Sequence, residues 1–346
     1  MNREEFFGKL AGLDEDRLKK VLWNLYWRGA APVRERIEAE VDPTEGERRD
    51  RQVKEPPDPQ RLLGEVREFA ALARSGAYIG GDRRVIPRER TRWRFTFQRL
   101  AADAQEALQA DDVDTAATAV EALIDLACDM HDYDYFRSED PIEAARFVVP
   151  DAVALLWGRL RDHHGFAGFA ERAAPQLIRW ERQFGWTRTG WGRVSEKETS
   201  LAAVLVRMLR ATDMWVGFTD RYIDALDGLA REDGAKPKRQ TWRSPDLDRR
   251  ERTRHLAEWH LQLVDRLAFS DGEDRLDRLV AHPALGGPER TFVHARLAYQ
   301  RGDMDVARKL VHESLQELPG HQGFLAFARE IGASPLPQER EHRCSS

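Results

Sequence analysis

The stretch CDMHDYDYFRSEDP, residues 128–141, contains several side chains that could bind a metal ion. Its candidate ligands are His131, Asp132 and Asp134. A hard cation such as Ca²⁺ needs several oxygen atoms that converge on it, and this stretch has neither the twelve-residue spacing of a calcium loop nor its central glycine. We therefore interpret it as a loop between two helices, with Asp140 capping the helix that begins at Pro141.

The stretch HLAEWH, residues 255–260, is the second candidate for metal chemistry. His255 and Glu258 lie three residues apart, which is half of the Glu/His arrangement found in helical sites that bind two metals. Such sites also need carboxylates from other helices, and the residue order differs from the HExxH motif of zinc proteases. A solvated helix face with Trp259 buried explains the stretch better, and His163-His164 is explained as a polar helix end. We predict no metal site and no cofactor.

Phosphate-binding and nucleophilic motifs are not indicated either. The stretch GAYIGGDRR, residues 76–84, lacks both the spacing and the lysine of a phosphate-binding loop. No serine lies in a GxSxG elbow. We predict no catalytic residues, and a helical metal-dependent enzyme is the weakest functional alternative.

The stretch GDRRVIPRERTRWRFTFQR, residues 81–99, carries seven arginines and only two acidic residues. The planar guanidinium group of arginine pairs with phosphates or carboxylates and stacks on aromatic rings. The alternative is an ordinary solvated helix start, whose arginines pair with acidic neighbours. The candidate binding residues of this stretch are Arg83, Arg84, Arg88, Arg90 and Trp93.

The stretch RWERQFGWTRTGWGRVSEKE, residues 179–198, interleaves tryptophans with arginines. Its glycines and threonines disfavour a helix between Trp186 and Val194, so we expect a loop that carries two tryptophans. Aromatic and arginine side chains dominate binding hot spots, although tryptophans in such a loop could equally fold back and fill gaps between helices. The candidate binding residues here are Trp186, Arg188, Trp191 and Arg193. We expect this loop and residues 83–94 to contribute to one binding surface.

The elements that must position these residues are almost all helices. In residues 112–130 the apolar positions step by three and four, which places them on one face of a helix. Similar patterns predict helices over about 15–27, 59–75, 88–109, 151–163, 166–184, 196–211, 214–231, 247–269, 303–318 and 321–331. Only GAYIGG and RRVIP suggest extended chain. The sequence therefore predicts an all-α protein.

The helical patterns and the polar, proline-bearing stretches between them divide the chain into four segments. We expect an N-terminal helical module at 1–42, a flexible linker at 43–58, a helical array at 59–332 and a disordered tail at 333–346.

A phrase that occurs twice indicates how the array is built. Residues 109–120, QADDVDTAATAV, match residues 300–311, QRGDMDVARKLV, and the alignment extends over 99–121 and 290–312 with eight identical pairs. Alanines recur where two packed helices must touch, and an aspartate recurs where the second helix begins. The phrase predicts two antiparallel helices joined by a short turn.

The C-terminal copy, about 288–321, resembles a tetratricopeptide repeat. Small residues, a turn glycine and a closing proline occur at the spacings of that family, at Ala295, Gly302, Ala307 and Pro319. The early tryptophan of the family pattern is replaced by Thr291. The upstream copy, about 97–130, matches less well, with Asp111 in place of the glycine. The resemblance implies stacked antiparallel helical hairpins, an α-solenoid-like array that presents an extended surface for proteins or peptides.

Composition restricts the environment and the partners. The longest apolar runs fall well short of the roughly 20 residues that cross a bilayer, and the amphipathic start MNREEFFGKL does not resemble a signal peptide. Two cysteines cannot form a disulfide framework, so we expect a cytoplasmic location without membrane contact. A net charge of −5 gives no general attraction to nucleic acid, although local basic patches could bind it.

These observations favour a non-catalytic helical-repeat scaffold or adaptor that binds another protein or a peptide. The alternative is a regulator associated with nucleic acid, which would use the arginines and tryptophans of 83–94 and 179–193 against phosphates and unstacked bases.

Overall fold

The structure is a computed structural model that describes residues 7–8, 11–29, 34, 37, 56–80, 83–181, 194, 197, 199–235, 255–270 and 272–333. Within these ranges the chain forms helices and turns without any strand, so the all-α prediction is confirmed for the described residues. None of the helices described has the length and apolar character that crossing a membrane requires.

Thirteen helices have bounds within the described residues. They are α1 (Glu15–Arg28), α2 (Pro59–Arg74), α3 (Pro87–Ala107), α4 (Val113–Asp129), α5 (Pro141–Ala145), α6 (Val149–Trp180), α7 (Leu201–Met208), α8 (Thr212–Ala235), α9 (Ala257–Leu267), α10 (Glu273–Ala281), α11 (Gly287–Gln300), α12 (Met304–Glu317) and α13 (Gln322–Glu330).

The chain divides into two compact units, Met1–Glu55 and Pro56–Ser346. In the first unit, Asp14 caps α1 by accepting a hydrogen bond from the amide of Arg17 at 2.7 Å. No residue of α1 is buried. Most of the expected linker at 43–58 lies outside the described residues, as does the expected tail beyond residue 333.

Hydrogen bonds between side chains show which helices of the second unit run in the same direction. Gln60 on α2 bonds Thr115 on α4 at 2.9 Å, and Arg74 bonds Asp129 at 2.8 Å, both across 55 residues. A constant difference in residue number along two helices means that they run in the same direction. The same separation of 55 residues joins α4 to α6 and α8 to α10, so each of these pairs is parallel too.

The core of the second unit is built around α4. Ten of its seventeen residues are buried, and four of those ten are alanines. Small side chains allow close approach of neighbouring helices, and α4 contacts α2, α3 and α6. Most of the buried residues of the described chain form one cluster, while α11, α12 and α13 contribute to a second cluster.

The two copies of the repeated phrase have closely similar backbones at their turns. Asp112 precedes α4 with φ −82° and ψ 70°, and Asp303 precedes α12 with φ −79° and ψ 68°. In the C-terminal copy, α11 and α12 pack on each other across the turn, where Gly302 has φ +85°. Ala295 and Ala307 are fully buried in the same cluster.

A break inside α6 separates the two helices that the sequence predicts for this region. Gly165 has φ +69° and ψ −175°, a backbone conformation that L side chains rarely adopt. The described residues of GAYIGG form a turn, and RRVIP leads from a turn through the extended Ile86 into α3 at Pro87, so neither stretch is a strand. In HLAEWH, Trp259 is buried as predicted, and His260 is buried with it instead of facing solvent.

Candidate binding surface

Helix α3 positions the arginine-rich stretch. Pro87 occupies its first turn, and its core-facing side chains include Trp93, Phe97 and Leu100. These residues recur every three or four positions, so they define one buried face. The opposite face must then point to solvent.

The solvent side of α3 carries a row of arginines with one aromatic side chain. Arg88, Arg92, Phe95 and Arg99 lie at positions i, i+4, i+7 and i+11, which places them on one stripe of the helix. All four are exposed, and Phe95 exposes 54% of its surface. We call these four residues the arginine face.

The charges of the arginine face are only partly neutralised. Arg99 pairs with Glu65 at 3.1 Å and with Asp103 at 2.9 Å. The hydrogen bond from Arg99 lowers the pKa of the Glu65 carboxyl below its ordinary value. Arg88 and Arg92, in contrast, form no ion pair with any described residue. Among the described residues, the paired-arginine alternative therefore applies to Arg99 but not to Arg88 and Arg92.

The position of Arg88 and Arg92 is electrostatically unfavourable for the isolated chain. The start of a helix carries a partial positive charge, so the cation of Arg88, in the first turn, costs up to about 1 kcal/mol before solvent screening. Like charges at i and i+4 add about 0.2–0.5 kcal/mol of repulsion. An anionic partner bound at this surface would relieve both effects.

The other candidate residues of this stretch occupy different environments. Arg83 is exposed and has no ion pair in the part of the chain that the structure describes, whereas Arg84 bonds the Ser75 hydroxyl at 3.0 Å. Arg90 is half-buried and donates to the backbone oxygen of Val85 at 2.9 Å. Trp93, expected on the binding surface, is only 4% exposed and stacks on Phe136 with ring centroids 4.0 Å apart. Its ring belongs to the core.

Phe95 belongs to the arginine face although it was not among the predicted binding residues. Arg94 places its guanidinium 4.9 Å from the centre of the Phe95 ring, a cation–π contact at the surface. The spacing of Phe95 from Arg88 and Arg92 was the available signal, because it places the ring on the side of the helix away from Trp93 and Phe97.

Trp186, Arg188, Trp191 and Arg193 lie outside the described residues. Trp180, at the start of the stretch 179–198, is described and is 1% exposed, so this tryptophan is a core residue.

The metal-binding candidates of the sequence are not brought together by the described structure. Glu258 accepts a hydrogen bond from the Ser200 hydroxyl at 2.6 Å. Among described residues, one set of three histidine, cysteine or acidic side chains has its ligand atoms within 4.8 Å of one another, and it consists of Asp114, His163 and His164. The two histidines were expected only to end a helix.

A cavity of about 370 Å³ lies between the beginning of α11 and the end of α12. Its lining includes Arg290, Thr291, His294, Leu310, Glu313 and Glu317. Desolvation lowers the pKa of His294, and the neighbouring charge of Arg290 lowers it further. Arg290 also bonds the backbone oxygen of Val280 at 2.8 Å, so it joins α11 to α10.

Comparison with family models, curated proteins and solved structures finds no match to this chain. The arginine face combines guanidinium groups, which bind carboxylates or phosphates, with an exposed aromatic ring that can be covered by a partner. Such a surface is suited to binding.

Proposed function

We propose that this protein is a non-catalytic helical-repeat scaffold that binds an acidic segment of another protein through the arginine face. The observation that carries the proposal is that Arg88 and Arg92 lie on the same exposed stripe of α3 as Phe95 and form no ion pair with any described residue. An acidic segment with an apolar side chain would match both the charge and the ring.

The arrangement of the helices as stacked hairpins is also part of this proposal. Stacked antiparallel hairpins of tetratricopeptide-like type are supported by the packing of α11 on α12 and by the matching backbone at Asp112 and Asp303. Parallel alignment of α2 with α4, and of α4 with α6, is also what stacking of successive hairpins would produce. The expected cytoplasmic location rests on the sequence alone.

A protein partner is favoured over nucleic acid by the composition of the surrounding chain. The whole protein has a net charge of −5, so long phosphate backbones are repelled beyond the basic surface. A short acidic segment needs only a local patch. Nucleic acid remains the competing ligand that the experiment must distinguish.

The test measures binding of two anionic probes to the purified full chain. The first is a library of short acidic peptides that each contain one aromatic or aliphatic residue, and the second is a single-stranded oligonucleotide. The diagnostic variant is Arg88→Glu/Arg92→Glu. Its matched control is Arg329→Glu/Arg278→Glu, which reverses two arginines on α13 and α10 and causes the same change in net charge.

We expect selected acidic peptides to bind the wild type and the control variant, and to lose at least about tenfold in affinity for the Arg88→Glu/Arg92→Glu variant. A tenfold loss corresponds to about 1.4 kcal/mol. Equal loss in both variants would show that net charge alone attracts the peptides. Tighter binding of the oligonucleotide, weakening steeply with salt, would support the nucleic-acid alternative instead.

A further inference from the structure

Three side chains from two parallel helices converge at one end of the α4–α6 pair. Asp114 lies in the first turn of α4, and His163 and His164 directly precede the break at Gly165 in α6. His164 Nε2 lies 2.9 Å from Asp114 Oδ1. The ligand atoms of all three residues are within 4.8 Å of one another.

These separations are close to those of a transition-metal site. Zinc binds imidazole nitrogen at about 2.0–2.1 Å, which in tetrahedral geometry places two ligand atoms roughly 3.3 Å apart. Side-chain rotations that shorten the longer separations, by up to about 1.5 Å, would bring all three ligands to one ion. Imidazole together with carboxylate favours zinc and related transition metals over Mg²⁺ or Ca²⁺.

The backbone near the break allows this arrangement. Adjacent side chains on a regular helix diverge by about 100°. Here the two imidazole rings are only 4.6 Å apart, centre to centre, in an edge-to-face contact. Gly168 contributes as well, because a Cβ atom at that position would lie 2.7 Å from the Cβ of His164. The location of His164 therefore depends on a glycine in the next turn.

Arg172 holds the carboxylate in place. Its Nη1 lies 2.7 Å from Asp114 Oδ1. The same oxygen of Asp114 thus contacts both Arg172 and His164. The positive charge of Arg172 also opposes a bound cation, so we expect an exchangeable ion and not a permanent structural one.

We propose that Asp114, His163 and His164 form a surface site for a divalent metal ion of the zinc class, with the remaining coordination open to solvent. The ion would replace the hydrogen bond between His164 and Asp114, while Arg172 keeps its contact with the carboxylate. It would join α4 to α6 at the end opposite the bond from Trp180 to Asp125. This site is separate from the arginine face and does not depend on the proposed scaffold function.

The test titrates the full chain with Co²⁺, whose visible absorption reports coordination by nitrogen and oxygen ligands, and then displaces it with Zn²⁺. His163→Ala and His164→Ala each remove one ligand. Asp114→Asn keeps the shape but removes the charge, and Gly168→Ala keeps all three ligands but displaces His164. His312→Ala, on α12, is the control for loss of a histidine elsewhere.

We expect a single cobalt ion that zinc displaces, and an increase in melting temperature with zinc, because a ligand that binds the folded state stabilises it. Each histidine variant should weaken binding by at least tenfold, since even the outer partners of metal ligands change affinity by about 10–100-fold. Gly168→Ala should also weaken binding, and His312→Ala should not. No cobalt spectrum, or the same affinity in the histidine variants and the wild type, would overturn the proposal.

Discussion

Trp180 donates its indole N–H to Asp125 at 2.6 Å, and this bond joins the end of α6 to α4 across 55 residues of chain. The ring itself is 1% exposed, while Asp125 lies nearer the surface and also pairs with Arg179 at 3.0 Å. One turn earlier, Gln176 donates to Glu121 at 2.8 Å. These two bonds set the register of the parallel helices, because each pairs a polar atom that would otherwise be desolvated without a partner.

Trp180→Phe should lower the free energy of unfolding by about 1.5–3 kcal/mol, the usual contribution of a hydrogen bond to a charged group. The phenyl ring retains most of the apolar contact, so the indole N–H is the main loss. Chemical denaturation measures the change. Asp125→Asn retains an oxygen acceptor and should cost less; equal losses would indicate that the charge at Asp125, and not the bond, matters most.

Burial of a histidine makes the stability depend on pH. The Tyr222 hydroxyl and His260 Nε2 are 2.7 Å apart in the core. Burial lowers the pKa of His260 to about 3, with a smaller contribution from the charge of His282. As the pH falls, His260 of the unfolded chain is protonated near the ordinary histidine pKa of about 6.5, whereas His260 of the folded chain is protonated only at lower pH. The contribution of His260 to the free energy of unfolding is therefore fully present above about pH 6.5, and it is lost as the pH falls toward 3.

The check is to measure the free energy of unfolding against pH for the wild type and for His260→Gln, which can still bond Tyr222 but does not titrate. The wild type should lose up to about 1.4 kcal/mol more per pH unit below 6.5 than the variant does. Carboxylates titrate in both proteins, so only the difference between the two curves reports on His260. Parallel curves would show that His260 takes up its proton equally in both states.

The sequence could predict features that depend on local spacing. Apolar residues at helical intervals identified most of the helices, and Asp140 caps α5 through the amide of Glu143 at 2.9 Å, as expected from Asp140-Pro141. The break in α6 depends on the backbone conformation of one residue, Gly165, so the glycine alone was enough to predict it. The nine residues of α10 were missed, since so short a segment shows little more than two turns of periodicity.

Tertiary contacts explain what the sequence could not predict. Nothing local indicates that Asp114 lies beside His164, because the two residues are 50 positions apart and meet only when α4 packs along α6. Likewise, Trp93 and Phe95 are both aromatic residues among arginines, yet Trp93 is buried and Phe95 is exposed. Their separation by two positions places them on different faces of α3, which matters only once the core-facing side is known.

Ala307 at the contact of α11 and α12 provides a test of that packing. The side chain is 0% exposed, whereas its neighbour Val306 is 45% exposed. Ala307→Arg should lower the free energy of unfolding by at least about 1–3 kcal/mol, the typical cost of overpacking a core. Val306→Arg introduces the same side chain one position away and should leave stability nearly unchanged. A tolerated Ala307→Arg substitution would mean that the two helices do not pack closely in solution.

The repeated phrase offers a comparison between two aspartates with nearly identical backbones. Asp112 accepts a hydrogen bond from the amide of Thr115 at 3.1 Å and contacts the Gln60 side chain at 3.3 Å. Asp303 makes no such cap through its side chain. Because a side-chain cap satisfies an amide that the helix leaves without a partner, Asp112→Ala should lower the melting temperature more than Asp303→Ala does. Asp112→Asn retains the oxygen acceptor and should preserve most of the wild-type value. If the two alanine variants melt at the same temperature, then the aspartate shared by the two copies contributes to the turn and not to a helix cap.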